Sequence, residues 1–448
     1  MKLKISSTTR LKGTATPPSS KSHSVRALIL ATLARGTSHL KNILDADDAH
    51  AAIEVCKNLG AKIKITKNIS GGLDLEVQSD GIPLNTSASK LFSGNSGITT
   101  TFIVPTIGLR KKSDAIVTLS CGEQMQKRPL KSIIDAVEML GMNVKSTNNN
   151  CPLELSGNLI GGNVTVDGTN SQYLSALLLN LPCAQKNSEI HVKDLRERPF
   201  VEMTLSWLEQ QGIRYGHFKK DNVDTFKIFG NQEYKPFTKT IPGDFSSASY
   251  LIAAAVLLPS EVTLHGLDMN DPQGDKKIIP LLQQMGADIQ IDSANQALKI
   301  VGGKPLKGTT IDCADFPDMF PTLAVIATQA EGKTSLINAK SVRIKETDRI
   351  KSMATELAKM GAQLEEREAS LIIHHSKLYH TQLHGYNDHR TIMALAIAAL
   401  LASPNRKGEE QTTIDTAESI SKTFPNFATM MQPLTIRREA TPTLVISN

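Results

Sequence analysis

The sequence predicts an α/β fold of two domains, each built from three copies of a unit with two helices and about four strands. Three signals predict it, and all recur with a period of about 75 residues along the 448-residue chain. One is a turn followed by a short apolar strand. The second is a helix-like run stopped by glycine ahead of another strand. The third is a Ser, Asn or Asp cluster ahead of an Ala/Leu-rich helix.

GTSHLKNI from Gly36, KSDAIVTL from Lys112, KNSEIHVKDL from Lys186, PSEVTLHGL from Pro259, GKTSLINA from Gly332 and EEQTTIDTA from Glu409 each open on turn residues and continue as a short apolar strand. About 25–30 residues later come NLGAKIKI at Gly60, MLGMNV at Gly141, QQGIRY at Gly212, QMGADIQI at Gly286 and KMGAQL at Gly361. A sixth copy, MMQPLTI, lacks the glycine. Glycine at this point is the left-handed stop of a helix, so these five residues are expected to serve structure. The helix starts are Ser20-Lys21-Ser22, Asn95-Ser96-Gly97, Asn170-Ser171-Gln172, Asp244 to Ser247, Asp318, and Asp388-His389-Arg390. Capping accounts for the Ser, Asn and Asp but not for Lys21, Gln172 or Arg390. Unpaired N–H groups and partial positive charge turn such starts into anion sites wherever a fold gathers them.

Apolar residues make up 40% of the chain and charged residues 21%, a soluble balance, and no apolar run is long enough to span a bilayer. Met1 to Thr16 carries lysines but no apolar core or small-residue cleavage site, so no signal peptide is expected and a cytoplasmic location follows. The five cysteines, Cys56, Cys121, Cys151, Cys183 and Cys313, are scattered and never spaced as C-x-x-C. Reduced thiols are expected, rather than a disulfide framework or a zinc cage. A net charge of +6 with dispersed Lys and Arg and only 4% aromatic residues points to a small anionic substrate and away from nucleic acid.

The first helix reads as Ser20 to Arg35, closed by Gly36, with Val25, Ile29 and Leu33 as its apolar stripe. Lys21, Ser22 and Arg26 occupy its first turns, Ser22 and Arg26 on one face, which suits a phosphate or carboxylate. VRIKETDR, Val342 to Arg349, precedes a helix whose core stripe is Ile350, Met353, Leu357 and Met360. It mixes cations placed for anions with carboxylates able to trade protons, as an acid-base site requires. YNDHR contributes His389 and Arg390, GEQMQKRP contributes Arg128, and SKTFP contributes Lys422. Any one of these segments alone is ordinary solvated surface.

Taken in order, they resemble the enolpyruvyl transferase family, and within it the branch acting on shikimate 3-phosphate. SKSHSVRAL is similar to S-K-S-x-S-N-R-A-L, GNSG to G-N-[AS]-G-T, Arg128-Pro129 to the family's R-P, and NSQYLSALLL to S-S-Q-[FY]-L-T-A-L-L. GDFSSASY, FPD, VRIKETDR, YNDHR and KTFP continue the series, so the resemblance covers nearly the whole chain. It implies an inside-out α/β barrel architecture of six β-α-β-α-β-β repeats, with residues 1–19 plus 241–448 in one domain and 20–240 in the other. The implied reaction carries the enolpyruvyl group of phosphoenolpyruvate to the 5-hydroxyl of shikimate 3-phosphate, in chorismate and aromatic amino-acid biosynthesis. It implies a monomer without cofactor or metal. Phosphoenolpyruvate falls to Lys21, Asn95, Gly97, Arg128, Gln172, Arg349, Arg390 and Lys422, whose cations suit a small trianion. Shikimate 3-phosphate falls to Lys21, Ser22, Arg26, Asn170, Ser171, Gln172, Arg198, Asp318, Ser341 and Lys345. The resemblance makes Asp318 the acceptor of the hydroxyl proton. It has Glu346, with Lys21, protonate the methylene carbon, and His389 support the charge shift.

The chain departs from the family pattern at Val25 for Asn, Ile98 for Thr, Thr101 for Arg, Asn170 for Ser, Glu197 for a phosphate-binding Ser, Phe200 for a Tyr or a His-Thr pair, and Ser341 for Asn. Most of these touch the acceptor-phosphate side, where Glu197 would repel the ligand unless turned away. The sister branch acting on UDP-N-acetylglucosamine is similar too, but it uses a loop cysteine upstream of its R-P arginine and K-N at the first helix. Here Cys121 lies seven residues before Arg128 in a strand-like stretch, and Ser22 follows Lys21. A non-catalytic relative that binds RNA ends is the other alternative, and it has no use for paired carboxylates among donor-side cations.

Overall fold

The structure, a computed structural model, describes residues 1–436 and 443–447. The chain divides into two compact units, Met1–Pro18 with Pro242–Asn448, and Ser19–Ile241. Each encloses its own hydrophobic core.

Three central helices organise each unit: α1 (Lys21–Leu33), α2 (Gly97–Ile107) and α3 (Ser171–Asn180) in the unit that starts at Ser19, and α4 (Phe245–Leu257), α5 (Phe320–Gln329) and α6 (His389–Leu400) in the other. Their runs of Ala, Leu, Ile and small hydroxyl residues leave no polar face, so they are buried on all sides and pack on one another. Every residue of α6 is buried, as is all of α1 from His23 to Leu33. Val25, Ile29 and Leu33 are therefore part of an all-round apolar helix rather than a stripe. The helix α1 also ends earlier than its sequence suggests. Ala34 turns extended, and Gly36 lies inside the strand Arg35–Ile43 at φ 126°, where a Cβ would meet the Pro236 ring at 2.6 Å.

Among the described residues the strands form six open sheets, five of four strands and one of five. In four sheets a parallel pair flanks one central helix as a β-α-β crossover: Lys90–Phe92 and Val117–Ser120 about α2, Asn163–Asp167 and Ser188–Lys193 about α3, Thr310–Asp312 and Lys333–Ile337 about α5, and Gln382–Leu383 and Gln411–Ile414 about α6. In the other two the parallel partner is exchanged. Arg10–Ala15, which precedes α1, runs beside Ser260–His265, and Thr238–Thr240, which precedes α4, runs beside Arg35–Ile43. The exchange arises because the chain passes from one unit to the other twice.

A second, amphipathic helix follows in five repeats: Asp47–Asn58, Lys131–Met139, Arg198–Gln210, Ile278–Met285 and Arg349–Lys359. Gly60, Gly141, Gly212, Gly286 and Gly361 end them with φ between 68° and 113°, the left-handed stop that their spacing predicts. The copy without glycine keeps only the short helix Phe427–Met431, then a tight turn before the strand Thr435–Ile436. Among the described residues no helix is long and apolar enough to cross a membrane.

Candidate active site

Five of the six helix starts are capped by the residue that their sequence offers. Ser20, Ser96, Asn170, Asp244 and Asp388 each accept a hydrogen bond from a backbone N–H in the first turn. Asp318 is the exception. Pro317 begins a tight turn, Pro317–Met319, that leads straight into α5, so the Asp318 carboxylate is not spent on capping. It turns instead to two guanidinium groups, accepting from Arg349 Nη1 at 2.9 Å and from Arg390 Nη2 at 2.7 Å.

Arg349 is the hub of this arrangement. Its side chain is fully buried, and its fork also donates to both oxygens of Asp388, Nε at 2.8 Å and Nη2 at 3.2 Å, and to Glu346 Oε2 at 2.7 Å. Burial alone works against its charge, but Asp388, Glu346 and Asp318 outweigh that and raise its pKa well above the ordinary value. Lys422 reaches the other oxygen of Glu346 at 3.3 Å. Three cations, Arg349, Arg390 and Lys422, thus face three carboxylates, Asp318, Asp388 and Glu346, and Lys345 precedes Glu346 in the chain. Burial disfavours the charge on Arg390 as well, and Asp318 again reverses the direction. The His389 ring is buried, with Nδ1 3.6 Å from Asp388 Oδ1. Ser341 is buried in the turn Lys340–Ile344, and its hydroxyl finds no hydrogen-bond partner among the described residues.

In this unit an acidic residue escapes the sequence reading. Asp275, in the tight turn Gly274–Lys277, is buried and accepts a hydrogen bond from the Ser246 hydroxyl near the start of α4, while its Oδ1 has no hydrogen-bond partner among the described residues. Burial, then the charge of Asp318, pushes its carboxyl up to about 7, against Arg390 and Ser246 pulling the other way. The QGD triplet that carries it resembles any polar turn, and no spacing marks it.

In the other unit, Lys21 sits at the first position of α1 with Nζ 3.3 Å from the buried Asp48 carboxylate, a partner that sequence reasoning missed. Gly97 opens α2 against Arg128, where a Cβ would lie 2.5 Å from Nη1, so the missing side chain makes room for the guanidinium. The Asn95 side chain accepts from Met125 N at 3.3 Å, and Tyr173 on α3 donates to the carbonyl of Pro129 at 2.9 Å, which together anchor the Arg128 loop. Gln172 receives the Thr101 hydroxyl at 3.5 Å.

On the side expected to take the acceptor's phosphate, the cations and hydroxyls are engaged within the protein. Arg26 is buried among neutral acceptors, Thr204 Oγ1, Ser175 Oγ and the carbonyls of Ser22 and Phe200, and burial lowers its pKa to about 9. Arg198 is engaged bidentately by the fully buried Asp224, at 3.1 and 2.6 Å, with His217 completing the group at 2.8 Å. Burial disfavours the Asp224 charge, but Arg198 and His217 outweigh it and hold the carboxyl below its ordinary range. Glu197 is not turned away. Its Oε2 accepts from Ser171 N at 3.1 Å and Ser171 Oγ at 2.7 Å. Cys121 lies buried just past the strand Val117–Ser120, so it is not the loop thiol of the sister branch.

Carboxylates caged by arginines at helix starts are the equipment of an enzyme that binds small anions and moves protons among them. The chain covers the full length of an EPSP synthase of Acinetobacter baumannii, itself covered in full, with a TM-score of 0.80 at 24% identity. It shares 97% coverage each way with the enolpyruvyl transferase NikO of Streptomyces tendae, with a TM-score of 0.74 at 16% identity. These two likenesses establish the fold. The family profile of EPSP synthase (3-phosphoshikimate 1-carboxyvinyltransferase) matches residues 5–431. A 3-phosphoshikimate 1-carboxyvinyltransferase of Acetivibrio thermocellus is 41% identical over 94% of this chain and 96% of its own length, and one of Methanocaldococcus jannaschii is 37% identical over 96% and 97%. The chain belongs to the EPSP synthase family. It is a transferase that moves the enolpyruvyl group of phosphoenolpyruvate to the 5-hydroxyl of shikimate 3-phosphate and releases phosphate, a step of the shikimate route to aromatic amino acids.

Proposed function

We propose that the reaction is carried by Asp318 and Glu346, each held by two of the cations that also bind the donor. The observation that supports this most directly is the shared Arg349 fork, which bonds Asp318, Glu346 and Asp388 at once. Arg349, Arg390, Lys422, Lys21 and Arg128 bind the carboxylate and phosphate of phosphoenolpyruvate, with Asn95, Gly97 and Gln172 shaping the contact. Ser22, Arg26, Asn170, Ser171, Gln172, Lys345 and Ser341 hold shikimate 3-phosphate, together with Lys21 and Asp318. Arg198 reaches it only by loosening its bond to Asp224.

Asp318 takes the proton of the 5-hydroxyl as its oxygen bonds to C2 of phosphoenolpyruvate, and Glu346, assisted by Lys21, delivers a proton to C3. A tetrahedral adduct results. The C2–O bond to phosphate then breaks as Asp318 passes its proton to the leaving phosphate, the methyl group returns its proton to Glu346, and the enol ether leaves. The incoming anion competes for Lys422 and Arg349, and a carboxylate that gives up a cation holds a proton more readily, which readies Glu346 as the acid. His389 keeps Asp388, and through it Arg349, in place. Scattered free thiols suit the reducing cytoplasm.

The test measures phosphate release from phosphoenolpyruvate with shikimate 3-phosphate, with UDP-N-acetylglucosamine and with no acceptor. Asp318→Asn and Glu346→Gln are expected to lower kcat with the first acceptor by about 10²–10⁴ in protein that still unfolds cooperatively. Wild-type turnover in a folded double variant would overturn the assignment.

A further inference from the structure

The start of α3 offers the backbone N–H of Ser171 and its hydroxyl, the pair of donors that a phosphate oxygen takes at a helix N-terminus. In this chain both are already taken by one carboxylate oxygen, Glu197 Oε2, at 3.1 and 2.7 Å. The next N–H of the helix, that of Gln172, goes to the Asn170 side chain at 3.0 Å. Glu197 precedes the helix Arg198–Gln210 but does not cap it. It is 2% exposed and sits at φ 54°, a left-handed conformation that costs a residue with a side chain of this size. A buried acid in a disfavoured backbone state, aimed at another helix's N-terminus, occupies the position of an anionic ligand.

We propose that Glu197 is a specificity-determining residue for the acceptor: its carboxylate stands in for the acceptor's phosphate on Ser171, and shikimate 3-phosphate binds by displacing it. The proposal rests on the reading that Ser171 holds the acceptor. Displacement involves no covalent change, since Oε2 gives up two hydrogen bonds and a phosphate oxygen accepts them. The neighbouring cation does not offset the competition, because Arg198 is bound to Asp224. The apparent affinity for the phosphorylated acceptor is therefore set by two anions sharing one pair of donors, and an acceptor analogue lacking the phosphate is not subject to it.

Steady-state kinetics of Glu197→Ser, Glu197→Gln and Ser171→Ala test this, with thermal melts to verify folding. The Gln variant retains the shape and an accepting oxygen, so it remains informative where Ser disturbs the turn. Expected are a fall in KM for shikimate 3-phosphate of about tenfold in Glu197→Ser, a smaller fall in Glu197→Gln, and stronger competition by inorganic phosphate against that substrate. In the two Glu197 variants KM for phosphoenolpyruvate stays within about twofold. A structural cap, once removed, does not improve affinity for one substrate alone. An unchanged or raised acceptor KM in both Glu197 variants, with a raised KM in Ser171→Ala, overturns the competition while leaving the acceptor site intact. An acceptor KM unmoved by all three variants overturns the placement of the acceptor at Ser171, and this proposal with it.

Discussion

Replacing Asp275 with Asn should change how stability depends on pH. The carboxyl titrates near 7 in the fold because burial and the Asp318 charge disfavour its anion, whereas in an unfolded chain it titrates near 4. A raised acid binds its proton more tightly in the native state, so its contribution is fully favourable below the unfolded value and is lost as pH rises toward the folded one. Each pH unit in that window is worth about 1.4 kcal/mol, so on the order of 4 kcal/mol disappears between pH 4 and 7. An amide cannot ionise, and its oxygen still accepts the Ser246 hydroxyl. Asp275→Asn is therefore expected to be more stable than wild type at pH 8, by a margin that shrinks steadily as pH falls to 5. The groups facing Asp275 are Asp318, Arg390, Asp244 and Ser246, and all are present in both proteins, so most of their own titration cancels in the difference. Urea unfolding of both proteins at pH 5, 6.5 and 8 measures it. A difference in stability that does not vary across that range would refute the argument.

Arg349→Met removes the guanidinium that three carboxylates share. A buried ion network that loses one partner is destabilised by about 3–5 kcal/mol, so its urea midpoint should fall clearly below that of Lys422→Met, whose amine meets one Glu346 oxygen at 3.3 Å; equal midpoints would count against the hub. Gly97→Ala places a methyl group where Arg128 Nη1 now lies, 2.5 Å from the new carbon. The guanidinium end moves rather than the backbone. KM for phosphoenolpyruvate is therefore expected to rise about tenfold, a loss of about 1.4 kcal/mol, with KM for the acceptor unchanged. Equal donor KM values would show that Arg128 does not touch the donor.

The parts of the fold legible in the sequence are those set by one residue's own conformational demands. Five glycines at helix ends could be read as left-handed stops because few other residues tolerate that backbone, and Ser, Asn and Asp at helix starts could be read as caps because their side chains mimic the missing carbonyl. Asp318 shows the limit of that logic. It shares the spacing of a cap, but a proline just before it builds a tight turn and releases the carboxylate to two arginines. Partners distant in sequence were not legible. Asp48 for Lys21, Asp224 for Arg198 and Glu197 for Ser171 lie 26 or 27 residues away from the groups they bind, and nothing in a local pattern selects one acid among many. Asp275 was missed for the same reason, its pKa being the work of burial and of a neighbour on another element. The exchange of Arg10–Ala15 and Thr238–Thr240 between sheets likewise depends on where the chain passes between units, which the period does not mark.

Lys2–Ser6 lies in the middle of its sheet, between Gln411–Ile414 and Leu444–Ser447, with Lys2 opposite Ser447. During synthesis this strand is thus made well before either of its neighbours. At about 5–20 residues per second it waits roughly 20–80 s for them. The unit Ser19–Ile241, with all its strands in one continuous stretch, is complete long before. Joining the paired ends by a short loop and reopening the chain at the exposed turn near Ile69 would turn that late encounter into a hairpin, and should speed the closing of the discontinuous unit.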